Sequence, residues 1–346
     1  MKVKRHSIKD IAEKLNVSIT TVSFVLNGKA KEKRISNEVA QKILEYSKEI
    51  GYKPNHLAKS LRTGKSKIIV LMVEDISNQF FARLARIVED LAHEKGYKML
   101  FCSNDNNDSK SAELIKIFKE RQVDGFIVIP TVGIRQQIKN LMDDNIPVVL
   151  FDRYFPDLRT PYVGIDNEDA AYKSTNHLIQ NSYDQIALIT TDVEQTQMMA
   201  RQKGYEKAIF ENKLNSYILK VPYTSKTEVR KSKIIKFLEL YPEIDALFFA
   251  TNYLTREGLL ALKEYYPKRK IEIGIVTFDD NILYEVFTPS ITAVYQPLEA
   301  IAEELMKMML KIIKGDLQSK KLTEVILKAE LCIRDSSLPS SKKLKY

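Results

Sequence analysis

Cys102 and Cys332 are the only two cysteines in the chain. That is too few for a disulfide framework, and a reducing cytoplasm is the compartment expected. No run approaches the roughly 18–20 apolar residues that a membrane helix needs. The opening segment, MKVKRHSIKD, is charged and shows no apolar signal-peptide core. The four histidines, at 6, 56, 93 and 177, have no metal-ligand spacing to Cys or Glu, so neither a metal nor a cofactor is expected. The motifs G-x-S-x-G, H-E-x-x-H and G-x-G-x-x-G do not occur. Gly64-Lys65-Ser66 lacks the first glycine of a phosphate loop, because Lys59 stands in its place. Acidic residues are abundant but fall on helical surfaces, where a charge is normally just solvated. Catalysis is not expected.

Positive charge is present, and it is unevenly placed. The net charge is +9, with 14 Lys/Arg against 6 Asp/Glu in residues 1–62 and 40 against 39 in the remainder. A surplus confined to one short segment, alternating there with a patterned apolar core, is the footprint of phosphate binding rather than of a solvated tail. At 346 residues the chain is too long for one ordinary core, so two or three domains are expected.

Within the basic segment, IKDIAEKLNVSITTVSFVLN reads as two short helices around a polar turn. Ser7 is placed to cap the first, with Asp10 in its acid-favouring first turn. Ile8, Ile11, Ala12 and Leu15 share one face. Asn16-Val17-Ser18 breaks the pattern, and Ser18 caps a second helix over roughly 19–26. Val22, with Val25 or Leu26, closes back on the first helix, where the small Ala12 permits a close crossing. Ser36 caps a third helix carrying Val39, Ile43, Leu44 and Tyr46. This is a helix-turn-helix layout, whose second helix offers side chains to a DNA major groove.

Beyond Lys67, short apolar runs alternate with amphipathic helical patterns. Strands are expected near 68–73, 98–102, 125–129 and 148–151, then near 185–189, 217–221, 246–249 and 274–277. Helices are expected near 80–95, 109–120 and 133–143, then near 167–180, 196–210, 227–240 and 254–265. Such alternation builds parallel sheets with right-handed crossovers, and two series mean two similar lobes. Ligands in such sheets sit beyond the carboxyl ends of the strands. Asn78, Phe80, Phe81, Asp152, Arg153, Asn252 and Asp279 fall at those ends, and Arg201 lies on the first helix of the second lobe. Carboxylate and guanidinium groups grip vicinal hydroxyls, while an aromatic face covers the apolar side of a sugar ring. The plainer reading makes Asp152–Arg153 and Arg201–Asp279 structural ion pairs.

From IKDIAEKLNVSITTVSFVLNG and GYKPNHLAKSLRTGKS onward, the chain resembles the LacI/GalR family of bacterial transcriptional regulators. FDR (151–153), DN (166–167), FDD (278–280), TPSIT (288–292), QP (296–297) and LCIRDSS (331–337) also match, in order, so the likeness spans residues 6 to about 337. The resemblance implies a small all-α helix-turn-helix headpiece on an α/β periplasmic-binding-protein-like core of two parallel-sheet lobes. Residues 1–56 would be the headpiece and 57–66 a hinge helix and linker. Residues 67–335 would be the two-lobed effector-binding and dimerisation core, and 336–346 a disordered tail.

The function implied is a sequence-specific regulator, a repressor as most members are. Operator affinity would be controlled by a sugar or sugar derivative held between the lobes. It would work as a homodimer or higher oligomer on a pseudo-palindromic double-stranded operator, with no membrane partner. DNA would be met by Ser18, Ile19, Thr20, Thr21, Ser23, Phe24, Asn27, Asn55 and His56. Leu61 would act as an apolar wedge that kinks the duplex. Those seven strand-end residues and Arg201 match the family's effector pocket.

Three departures stand out. Asn78-Gln79 replaces the frequent Asn-Pro, Thr251-Asn252 the usual Asn-Asp, and Ala302 a common glycine. Phe24 stands where the lactose repressor itself has an arginine; Phe is able to touch a thymine methyl or to pack on the headpiece. The rival readings are a solute-binding receptor of the same core fold, or a sugar kinase or hydrolase fused to a DNA-binding head. The first would need a signal peptide and no basic headpiece, the second a phosphate loop or nucleophile.

Overall fold

The computed structural model describes residues 6–52, 65–223, 226–265, 273–315 and 324–339. The chain divides into two compact units, Met1–Ser66 and Lys67–Tyr346.

The first unit contains α1 (Ile8–Leu15), α2 (Ile19–Leu26) and α3 (Asn37–Glu49). Ser7 caps α1 in a capping box: its hydroxyl accepts from the Asp10 amide at 3.3 Å, and its own amide donates to the Asp10 carboxylate at 2.6 Å. The helix stops at Asn16, in the left-handed region at φ 50° that Asn tolerates. Ser18 and Ser36 cap α2 and α3 in the same manner, accepting from Thr21 N at 3.0 Å and Val39 N at 3.3 Å. Ile11, Ala12, Val22, Val25 and Ile43 form the buried centre. Leu44, expected there, is 51 % exposed. Successive helical residues lie about 100° apart, and Ile43 occupies the inward direction.

The second unit holds two six-stranded sheets. The first has the order β11-β5-β4-β3-β1-β2 and is parallel throughout. Its strands are β1 (Ile68–Val73), β2 (Lys98–Ser103), β3 (Gly125–Val128), β4 (Val148–Phe151), β5 (Tyr162–Ile165) and β11 (Glu324–Leu327). The second has the order β12-β10-β9-β8-β6-β7 and is parallel except for its edge strand β12. It comprises β6 (Ile186–Thr191), β7 (Tyr217–Val221), β8 (Ala246–Phe249), β9 (Gly274–Phe278), β10 (Thr292–Tyr295) and β12 (Glu330–Cys332). Strand β5 went unread in the sequence because YVGI is only four residues long and carries a glycine.

Helices α4 (Gln79–Glu94), α5 (Asp108–Glu120) and α6 (Arg135–Asp143) link strands of the first sheet. Around the second lie α7 (Asn167–Gln180), α8 (Thr196–Glu211), α9 (Thr227–Leu240), α10 (Asn252–Tyr265) and the short α11 (Leu283–Val286). α12 (Leu298–Lys314) returns the chain to the first sheet and packs on α4, β3, β4 and β5. Its Ala302 is fully buried in the core. α7 and α8 lie unusually close, since a Cβ on Gly204 would stand 2.1 Å from the Glu168 carbonyl oxygen.

The tail expected from Ser336 needs correction in its first residues. Asp335–Ser337 form a 3-10 turn with Ser336 and Ser337 buried. The Ser336 hydroxyl donates to the Ile275 carbonyl at 2.6 Å, and that of Ser337 bonds Thr292 at 2.6 Å and His177 at 2.7 Å. A serine-rich composition reads as disorder, yet these hydroxyls satisfy polar groups buried at the end of the second sheet. Residues 340–346 lie outside the described residues.

Candidate functional site

On the helical unit, α2 presents a small, mostly uncharged polar face. Ser18, Ile19, Thr20 and Asn27 are exposed, and Thr21, Ser23 and Phe24 are half-buried. The Asn27 amide donates to the Ser23 carbonyl at 2.7 Å, and the Ser18 and Thr21 hydroxyls share a bond at 2.8 Å. Phe24 lies outside the apolar cluster of the unit, and the Lys33 ammonium stands 5.5 Å from its ring centre. Hydroxyls, an amide and two apolar tips suit the mixed donor, acceptor and methyl pattern of a major groove. Asn55, His56 and Leu61 lie outside the described residues.

In the second unit, the carboxyl ends of β1, β4, β6, β8 and β9 bring a set of side chains together. Asn78, Phe80, Phe81, Asp152, Arg153, Arg201 and Asp279 line one tight cavity, and Asn252 borders it through Asn78. Asp152 and Asp279 directly follow β4 and β9, both in the left-handed region at φ 64° and 69°. This conformation is rare outside glycine, and at each strand end it turns a carboxylate into the same space. Phe80 lies 5.1 Å from Phe81 and 6.3 Å from Phe151, centre to centre. The space left is about 40 Å³, which holds a water or two but no sugar ring. A wider cavity of about 820 Å³, with Glu74, Asn78, Asn252 and Tyr253 in its lining, adjoins this space between the lobes.

The charged groups are almost wholly buried. Arg153 pairs with Glu74 and has its Nε 3.4 Å from Asp152. Arg201 is held otherwise than expected: its Nε donates to Asn167 at 2.8 Å, another nitrogen donates to the Ala250 carbonyl at 2.7 Å, and the guanidinium lies 3.7 Å from the Phe278 ring centre. Asp279 accepts from the Gln296 side chain at 2.7 Å and from the backbone N–H of Asn252 at 3.3 Å. The ion-pair reading therefore fits Asp152–Arg153 but not Arg201–Asp279. Burial pushes the Asp152 carboxyl up to about 6; Arg153 and Arg201 oppose the shift, and Asp279 and Glu74 add to it.

Sequence reasoning missed Glu74, Asn106, Gln195, Gln197 and Gln296, all of which touch this space or its charged groups. Glu74 follows β1 and Asn106 follows β2, so the strand-end rule would have found them. Three buried polar atoms here lack a hydrogen-bond partner: Asn106 Nδ2, Arg153 Nε and Gln197 Oε1. Unmet buried valences cost free energy unless a ligand or water satisfies them. Among the described residues no group of three or more His, Cys, Asp or Glu is placed to hold a metal ion, and no helix is long and apolar enough to cross a membrane.

The family model of bacterial regulatory proteins, lacI family, matches residues 7–55, and a periplasmic binding protein domain model matches residues 69–317. The chain is 33 % identical to the HTH-type transcriptional regulator RegA of Clostridium saccharobutylicum over 96 % of its own length and 99 % of that protein. It is 29 % identical to the ribose operon repressor of Halalkalibacterium halodurans, covering 89 % and 90 %. In fold it resembles the lac repressor dimer bound to operator and the anti-inducer ONPF, at 18 % identity, a TM-score of 0.83, and 97 % and 100 % coverage.

Proposed function

Because the chain belongs to the lacI family of bacterial regulatory proteins, and is thus a DNA-binding transcriptional regulator and not an enzyme, we propose that it is a cytoplasmic, sugar-controlled repressor. The observation that carries this reading is the joining of two parts in one chain. One is a basic helix-turn-helix unit with an uncommitted polar face on α2. The other is a two-lobed core that converges five charged groups, two phenylalanines and several amides on one cleft.

In this reading Ser18, Ile19, Thr20, Thr21, Ser23, Phe24 and Asn27 meet the operator bases, Asn55 and His56 the backbone, and Leu61 the minor groove. A sugar bound between the lobes lies against Phe80 and Phe81. Its hydroxyls donate to Asp152 and Asp279 and accept from Arg153, Arg201, Asn78 and Asn252. The ribose operon repressor, a relative over most of its length, supports a sugar as the effector class. With only about 40 Å³ free among these residues, the site must widen toward the adjoining cavity that Glu74, Asn78 and Tyr253 also line to admit the ligand. Binding then shifts the balance between two core arrangements, and DNA affinity with it.

A homodimer is part of the proposal. On the second lobe Ile282, Leu283, Val286 and Phe287, on and beside the short α11, are exposed, Ile282 at 68 % and Val286 at 75 %, and Leu283 and Phe287 share a cavity wall with Leu260. An apolar patch of this kind marks a protein interface, and a symmetric pair would match a pseudo-palindromic operator. The experiment is capture and sequencing of genomic DNA bound by the protein, with and without candidate sugars. Enrichment of a palindromic site, altered by one sugar, supports the reading. Binding without sequence preference and without response to any sugar contradicts it.

A further inference from the structure

Tyr154, Tyr162 and Tyr172 wall a second cavity of about 390 Å³, closed by the β5–α7 crossover, the first turns of α8 and the edge strand β11. Its volume falls within the ~300–1,000 Å³ typical of small-molecule sites. The chemistry of its wall is that of a neutral polyol site. Glu168 faces Lys203 at 2.9 Å, Asp169 faces Lys173 at 2.7 Å, and Asp166 faces Lys328 at 3.6 Å. Each of these carboxylates is matched by an ammonium, and the other two charged groups of the lining, Glu324 and Lys207, are of opposite sign, so the wall offers many polar atoms with little net field. One buried acceptor in it has no partner, Gln197 Oε1, and a second, Asp166 Oδ2, has no hydrogen bond, the Lys328 ammonium standing 3.6 Å away. Hydroxyl groups supply donors, the partly exposed Tyr154 suits the apolar side of a pyranose ring, and Tyr172 offers the ring face that Lys207, 4.8 Å from its centre, leaves uncovered.

The same wall is tied to the effector residues. Tyr162 donates its phenolic hydrogen to the Asp152 carbonyl at 3.2 Å, and Asn167 accepts from Arg201 Nε at 2.8 Å. Gln197 lines both cavities. An occupant that moves Tyr162, Asn167 or Gln197 therefore moves a group in the cleft.

We propose that the tyrosine-walled cavity is a second site, for a neutral pyranose sugar, coupled to the effector cleft. The coupling half of this inference rests on the effector reading above; the site itself does not.

The chain has no tryptophan, so Tyr172→Trp makes the cavity wall the sole source of indole fluorescence. D-Glucose titrated into this full-length variant should change the emission saturably. The change should persist when Asp279→Ala is added, and be lost when Ala200→Phe fills the cavity. Tyr154→Trp serves as a second reporter should Tyr172→Trp fold poorly. No saturable change in either reporter overturns the site. A change that disappears with Asp279→Ala also overturns it, by placing the sugar in the cleft. On operator DNA, saturating glucose should move the effector midpoint about fivefold or more, the lower end of common coupling energies. An unmoved midpoint overturns the coupling. Failure of the effector reading looks different: the glucose signal stays, while Asp279→Ala leaves the operator response intact.

Discussion

The side-chain amides of Asn78 and Asn252 hold each other across the two lobes, Asn252 Nδ2 donating to Asn78 Oδ1 at 2.8 Å and Asn78 Nδ2 returning the bond at 3.2 Å. Gln79 accepts from Asn281 beside them. These are the positions at which the chain departs from the family's usual Asn-Pro and Asn-Asp. An aspartate at 252 has no hydrogen to donate, so the departure creates the reciprocal pair. Two such bonds are worth about 1–3 kcal/mol together, enough to bias a balance between open and closed lobes. Asn252→Asp is expected to open the ligand-free core, seen as a larger radius of gyration in solution scattering. Unchanged scattering would mean that the pair does not hold the lobes.

Phe24 tests the reading face of α2. Its ring is half-buried yet outside the apolar cluster of the unit, so Phe24→Ala should cost less than about 1 kcal/mol of stability, well below the ~3–5 kcal/mol of a core phenylalanine. Operator binding should fall by tenfold or more. A matching fall in melting temperature would make Phe24 a packing residue.

Asp152 gives the effector response a pH dependence. Its carboxyl, ordinarily near 3.8, is pushed up to about 6 by burial. The fold therefore holds the proton more firmly than the unfolded chain does. Ionisation costs stability as pH rises from about 4 to 6, with no further change above. A sugar hydroxyl donating to Asp152 favours the ionised form, so effector affinity should weaken below pH 6 by up to about tenfold per unit and be flat above it. Asp152→Asn should remove the dependence. A wild-type midpoint constant from pH 5 to 7 would take Asp152 out of the ligand's reach.

The charge surplus of residues 1–62 makes DNA affinity salt-dependent. A dimer with some 6–10 phosphate contacts should lose roughly 10³–10⁵ in affinity between 50 and 200 mM salt, read by fluorescence anisotropy. A chain lacking residues 1–62 should bind no operator while keeping its core. A flat salt response, or operator binding by the truncated chain, would place the contact elsewhere.

Local patterns carried most of the architecture. The caps Ser7, Ser18 and Ser36 and the alternation of strands and helices were legible because each signal lies within a few residues. So were the strand ends bearing Asp152 and Asp279. Contacts between distant residues were not. Nothing in the sequence joins Asn78 to Asn252, Glu74 to Arg153, or Arg201 to Asn167, and the ion-pair alternative for Arg201 names a carboxylate partner it does not have. The burial of Ser336 and Ser337 was hidden for the same reason, since their partners lie on Thr292, Ile275 and His177. The resemblance to one family supplied what periodicity lacked, including the pairing of a DNA-reading head with a ligand-binding core.

The central claim is that a ligand gripped in the cleft sets DNA affinity. The most direct measurement is operator affinity, titrated against the identified sugar in the wild type and in Asp279→Ala. The wild type should shift by about 5–150-fold, the usual span of 1–3 kcal/mol of coupling. The variant should bind ligand-free operator nearly as well as the wild type and show no shift. A variant that responds with the wild-type midpoint would contradict the account. So would a wild-type affinity that no sugar changes.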